Sequence, residues 1–293
     1  MTLLLSVLEQ GMIYAIMALG VYITYKILDF PDLTVDGSFP MGAAIAVVLI
    51  DKGCNPYLTL PIAFVAGAVV GILTGIIHVK LKVRDLLSGI IMMTGLYTVN
   101  LRIAGRANFP IYTCQNIFDN NFVNAIIPES LSGYKVVIVI FVLTVIVKLL
   151  LDAYLKTKSG FMLRAVGDND TIVTSLGVDK GLIKIMGLAI ANGLVTLSGC
   201  MFAQQQRYFD VSMGTGTVVI GLASVIIGTS IFKNISFLKV TTSVIIGSLL
   251  YKGCVALAIR IGLESRDLKL ITAVMFLIIL VLGNERKKKV KAC

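Results

Sequence analysis

Charge is scarce in this chain. Of 293 residues, 14% are Asp, Glu, Lys or Arg and 57% are hydrophobic, whereas soluble domains carry about 25% charged residues. With a mean hydropathy of +0.93, this excludes an ordinary water-soluble globule. There is one histidine, His78, and the five cysteines (Cys54, Cys114, Cys200, Cys254, Cys293) contain no C-x-x-C pair, which argues against metal and redox chemistry. The phosphate-cradling G-x-x-x-x-G-K-[ST] loop is missing, as are H-E-x-x-H and G-x-S-x-G, so no ATPase site or hydrolase nucleophile is expected. No pair of carboxylates sits within an apolar span at helical spacing, as a proton relay would need. No cofactor is implied. If the chain moves a solute uphill, the energy must come from another polypeptide. No hydrophilic stretch is long enough for a second globular domain, so residues 1–293 are read as one membrane domain.

Long apolar runs are what the chain does have. They fall near 5–28, 35–50, 57–79, 86–104, 134–155, 182–203, 212–232, 239–260 and 268–283, most of them close to the ~20 residues that cross a bilayer core. The runs are continuous rather than alternating, which favours helices over a β-barrel. The expected fold is an all-α, polytopic transmembrane bundle of about 8–10 spans with broken or re-entrant segments and an internal repeat. The first run contains Glu9 and has no basic residue before it, so it is expected to stay as a span rather than be cleaved as a signal peptide. The net charge of +10 is concentrated in "HVKLKVRD" (His78–Asp85), Lys156, Lys158, Arg164, Lys180, "FKNISFLK" (Phe232–Lys239) and the tail "NERKKKVKAC" (Asn284–Cys293). Nine crossings put all of these on one face, which the positive-inside rule makes cytoplasmic together with the C-terminus. They report orientation rather than nucleic-acid binding, and the tail also suits anionic lipid. The N-terminus and "CQNIFDNNFVN" (Cys114–Asn124) then lie outside, as do Cys54 and Cys114, expected as free thiols rather than a bridge.

Two apolar segments are irregular. Segment 35–50 is short and holds Pro40; segment 212–232 holds Gly214, Gly216, Gly221 and Gly228. Each has a polar lead-in, "DLTVDGSF" from Asp32 and "DVSMGTGT" from Asp210, and each follows a long helix. Paired interrupted segments in corresponding halves are the mark of a duplicated transporter. Gly67, Gly71 and Gly75 form a doubled G-x-x-x-G, expected to serve close packing within one subunit rather than a dimer seam. Polar side chains inside spans face the bundle interior as a rule, which makes Thr94, Thr98, Asn100, Asn192 and Thr196 candidates for the solute path; a hydroxyl that bonds its own helix backbone is the plainer alternative. Lys148 is expected to snorkel, and Lys252 to find a carbonyl or carboxylate partner. "QQQRYFD" (Gln204–Asp210) is expected as a solvated outer loop or a contact for an outer partner.

One stretch, "SGFMLRAVGDNDTIVTSLGVDK" (Ser159–Lys180), is too polar for lipid. Within it "GDNDTIVTSLG" reads as a short helix, capped by Asn169 or Asp168 and ended by Gly177 in the left-handed conformation. Two turns are unstable alone, so it must rest on a surface, with Ile172, Val173 and Leu176 as contacts. That surface is either the protein's own cytoplasmic end or a soluble partner. "LRAVGDNDTIVTSLGVD" (Leu163–Asp179) resembles the coupling segment of permeases of the branched-chain amino-acid and ribose type of ABC importer. "LEQGMIYAIMALGVYITYKILDFPDLTVDGSFPMGAA" (Leu8–Ala44) resembles their first span and the broken segment after it. The lead-in Asp-Leu-Thr-Val-Asp-Gly replaces the commoner Asn-Phe-Ala-x-Gly-Glu, and the coupling helix is β-branched where alanines are frequent. The lead-in is similar to that of permeases assigned to aromatic amino acids.

The resemblance implies a permease subunit in a bacterial plasma membrane, working as a homodimer. ATP is bound by separate cytoplasmic ATPase subunits, and an extracytoplasmic binding (lipo)protein delivers a small solute, tryptophan or tyrosine above branched-chain substrates. It further implies that Arg164, Gly167, Asp168, Asn169, Ile172, Leu176 and Gly177 meet the ATPase. The alternatives are a stand-alone secondary transporter or channel, a ribose-type sugar or nucleoside permease, and a non-transport scaffold or sensor.

Overall fold

A computed structural model describes residues 2–120, 123–124, 128, 133–175, 177–232, 238–260, 270, 273–274 and 277, with backbone alone at 2–3 and 170–172. Segment 268–283 and the basic tail lie almost wholly outside the described residues. The chain forms α1 (Thr2–Val21), a π-helical turn (Tyr22–Ile27), α2 (Val35–Asp51), α3 (Thr59–Val79), α4 (Asp85–Ala104), β1 (Asn108–Pro110), α5 (Lys135–Tyr154), α6 (Lys158–Asp168), α7 (Asp170–Ser175), α8 (Lys180–Gln206), β2 (Tyr208–Asp210), α9 (Thr217–Ile231) and α10 (Val240–Arg260). The chain is helical because its apolar runs must satisfy every backbone N–H and C=O internally. Breaks fall where the residues dictate. Asp29 takes φ +51° just before Pro31, and Gly105 takes φ +72° to close α4.

Among the described residues, six helical stretches are long and apolar enough to cross a membrane: Leu4–Ile27, Pro56–Val79, Asp85–Ala104, Lys135–Tyr154, Lys180–Gln206 and Val240–Arg260. At 17 and 15 residues, α2 and α9 extend only about 26 and 22 Å at 1.5 Å per residue, less than the ~30 Å core. Each irregular segment is therefore a broken unit that runs from one end of the bundle to the other as a non-helical lead-in followed by a short helix. In the second, helix begins only at Thr217, after turns through 211–216.

Helix α8 is the central post. Its side chains from Leu188 to Gln204 are mostly buried, between α1, α2 and α3. The doubled glycine repeat packs within the subunit, as expected. A Cβ on Gly67 would strike Asn192 and Thr196, one on Gly71 would strike Leu188, and one on Gly75 would press on Ile185, all on α8. Contacts also repeat across the two halves. Hairpin α2–α3 lies against α8, while hairpin α9–α10 lies against α1. Helices α1 and α8 run antiparallel, with Gly20 against Ala191, the Ser198 hydroxyl donating to Ile13 O, and Gln205 donating to Glu9. This is the exchange expected of an inverted repeat.

The basic turns gather at one end of the bundle. There Phe30 meets His78 edge-on, Gly181 abuts Val79, and Asp152 joins Lys148 and Lys239. Lys148 is thus ion-paired rather than snorkelling alone. At the other end β1 and β2 pair antiparallel (Asn108↔Asp210, Phe109↔Phe209, Pro110↔Tyr208). Gln204, fully buried, donates to Thr59 and accepts from Ile117 N. Arg207 bridges to Asp119 at 3.3 Å. "QQQRYFD" is therefore a clasp between strand and loop, not a solvated loop. Cys54 and Cys114 are free thiols lining one cleft of about 610 Å³ with Asp51, Tyr57 and Asn120.

Candidate functional site: the broken-helix junction and the polar segment

The lead-ins to α2 and α9 share one local device. The Asp32 carboxylate accepts from Thr34 N at 2.9 Å, and Asp210 accepts from Ser212 N at 2.8 Å. Each is an Asx turn, in which a side chain replaces a backbone acceptor two residues on. Asp32 is buried, and its second oxygen accepts from Asn192 Nδ2 at 2.8 Å. Asn192 in turn accepts from the Ser38 hydroxyl at 2.7 Å and donates to Leu188 O. Thr34 meets Thr74 of α3 at 3.2 Å. A buried polar network of this kind fixes one geometry, because each unmade bond is costly away from water.

Asp36 lies one turn further on. Its carboxylate accepts from Gly216 N (3.0 Å), the Thr217 hydroxyl (2.9 Å) and Val218 N (2.8 Å). It therefore caps α9 from another helix. Two carboxylates four positions apart thus flank the start of α2, Asp32 in the non-helical lead-in before the apolar segment and Asp36 in the first turn. Their signal was visible in "DLTVDGSF", but the residues they bind are remote in sequence. Neighbouring Gly37 packs on Met93 and Leu96, half-way along α4, so α2 and α9 both begin in mid-bundle.

The five path candidates divide into two groups. Asn100, Asn192 and Thr196 are fully buried: Asn100 donates to Gly37 O, and Thr196 donates to Asn192 O. The Asn100 Oδ1 has no partner among the described residues. Thr94 and Thr98 instead stand exposed on α4 beside Tyr97, and Thr94 donates to Ile90 O and Ile91 O of its own helix. Gly95, between them, has open space where a Cβ would stand. Lys252 finds the face of Tyr14 at 3.9 Å and the amide oxygen of Gln10 at 3.4 Å, rather than a carboxylate.

The polar stretch folds as two helices, not one. Thr157 caps the start of α6, its hydroxyl accepting from Gly160 N at 3.3 Å, and the helix ends at Asp168. Asp168 is thus the last residue of α6 rather than a cap. Asn169 is the extended joint (φ −160°, ψ 107°) before α7, and Gly177 takes φ +72° as expected. Leu163 and Val166 are buried, as is Val173. A Cβ at Gly167 would collide with Ile27 O at the end of the π-helical turn, so only glycine lets α6 seat there. Arg164, Asp168 and Asn169 remain exposed. The side chain of Ile172 and all of Leu176 lie outside the described residues.

Comparison with known proteins agrees with this architecture. Residues 3–282 match the family described as branched-chain amino acid transport system / permease component. The chain is 44% identical over 281 residues to the tyrosine transport system permease protein of Clostridioides difficile strain R20291, covering 96% of this chain and 91% of that one. It is 22% identical over 229 residues to the ribose import permease protein RbsC of Haemophilus influenzae (77% and 68% covered). It is 24% identical over 233 residues to the inner membrane ABC transporter permease protein YjfF of Escherichia coli K12 (78% and 65% covered). No solved structure matches. The inverted pair of broken helices, the docked polar segment and a match that spans nearly the whole chain make this a member of the branched-chain amino acid transport permease family.

Proposed function

We propose that the chain forms the translocation path of an ABC importer for an aromatic amino acid, with tyrosine first. The observation that carries this reading is the seat of α6. Gly167 sits on the carbonyl that ends the first span while Arg164, Asp168 and Asn169 face outward. A cytoplasmic ATPase pressing on that exposed edge moves α1, and α1 touches α8, α9 and α10. Arg164 and Asp168 make the polar contacts to the ATPase. Ile172 and Leu176 supply the apolar ones, and Asn169 and Gly177 hold the two ends of α7. The exposed face of α4 at Thr94, Gly95 and Thr98 lines the path against a second copy of the chain. Asn100, Asn192 and Thr196 support that path from behind. A binding (lipo)protein meets the outer end, the membrane is the bacterial plasma membrane, and the C-terminus is cytoplasmic. The tyrosine permease relative supports the substrate.

The test is uptake of labelled tyrosine into proteoliposomes holding the permease, its ATPase and its binding protein. Uptake should require all three and ATP. Uptake by the permease alone would favour a secondary transporter or channel, and uptake of ribose instead of tyrosine would favour the sugar branch. Asp168→Lys should abolish ATPase association without affecting membrane insertion.

A further inference from the structure

Helix α9 lacks a cap of its own. Its N-cap is Gly216, at φ +87° and with no side chain to offer the exposed N–H groups. The carboxylate of Asp36 fills that role from α2, through Gly216 N, the Thr217 hydroxyl and Val218 N. The main chain of Asp36 is engaged as well. Pro40 sits four residues later inside α2, and a proline has no N–H to give to the carbonyl at i−4. Gly214 lies against that freed carbonyl: a Cβ there would strike Asp36 O and the Pro40 ring. Side chain and backbone of one residue thus receive the whole descent from 214 to 218. A half-helix N-terminus inside a bundle attracts anionic groups. Here the protein's own carboxylate occupies it, which closes that terminus to a solute carboxylate.

We infer that Asp36 is a positioning residue that locks α9 onto α2, so that the two broken helices move as one body during transport. The coupling role rests on the transport reading above; the lock itself does not. Two measurements separate them. In the full-length chain in lipid nanodiscs, hydrogen exchange of the Gly216 and Val218 amides should be about tenfold faster in Asp36→Asn than in the native protein. Asp36→Glu should recover part of the protection, and α8 amides should not change. Unchanged exchange at Gly216 and Val218 overturns the lock. If Asp36→Asn also exposes α8, Thr217→Val, which removes one of the three bonds together with the Thr217–Gly214 contact and keeps the carboxylate, replaces it. A rise of about threefold in exchange at Gly216 then supports the lock, and no rise overturns it. In the reconstituted importer, Asp36→Asn should lower solute moved per ATP several-fold, while ATP turnover falls less. Transport and turnover falling in equal proportion would overturn the coupling role and leave the lock intact.

Discussion

The two broken helices look alike in sequence and behave differently. α2 carries its own polar machinery: Asp32 anchors its lead-in and reaches Asn192, Ser38 binds the same amide, and Thr34 reaches Thr74. α9 carries almost none. Its lead-in makes the same Asx turn at Asp210, but its start is glycine and borrows a carboxylate from α2. Architecture is duplicated here while chemistry is not. At the junction of the two broken helices, α2 supplies the carboxylate and the lead-in to α9 the glycines that approach it.

This asymmetry can be broken at several points. The largest effect is expected at Gly42, where a Cβ would collide with Thr196 O and crowd Cys200 N on α8. Gly42→Leu should cost about 3 kcal/mol or more through overpacking and remove the monodisperse peak in detergent gel filtration. Asn192→Ala leaves Asp32 and Ser38 without their shared partner, at a cost of about 2–3 kcal/mol, read as a fall in thermal midpoint. Asn192→Asp should be worse than Asn192→Ala, since it sets a second carboxylate against Asp32. Thr74→Val removes one bond to Thr34 and should cost about 1 kcal/mol in the same assay. Thr94→Val and Thr98→Val, on the exposed face of α4, should change stability by less than about 0.5 kcal/mol. If that face lines the path, tyrosine uptake should still fall severalfold. Full uptake in both variants would move the path elsewhere.

Much of this was legible in the sequence for simple reasons. Span length and continuity locate the long helices, and the four-residue glycine spacing gives the close face of α3. The left-handed Gly177 follows from its place after a two-turn run. Other features were not legible because their causes are distant. Asp36 and Gly216 are separated by 180 residues, so no local pattern shows that one caps the other. Gln204 reads as part of an outer loop until the fold brings Thr59 and Ile117 to it. The division of the polar segment at Asn169 accompanies the seating of Gly167 against Ile27, a contact between residues 140 positions apart. Thr94 and Asn100 both read as polar residues of one span, yet one is outside the bundle and the other inside.

The small β1–β2 ribbon has a mechanical consequence. It ties the chain leaving α4 to the chain that drops toward Gly214, and the Arg207–Asp119 bridge stiffens the same knot. A load borne by the surface between Asn108 and Asn120 therefore has a short covalent rope, seven residues from Asp210 to Gly216, by which to pull on the centre of the molecule.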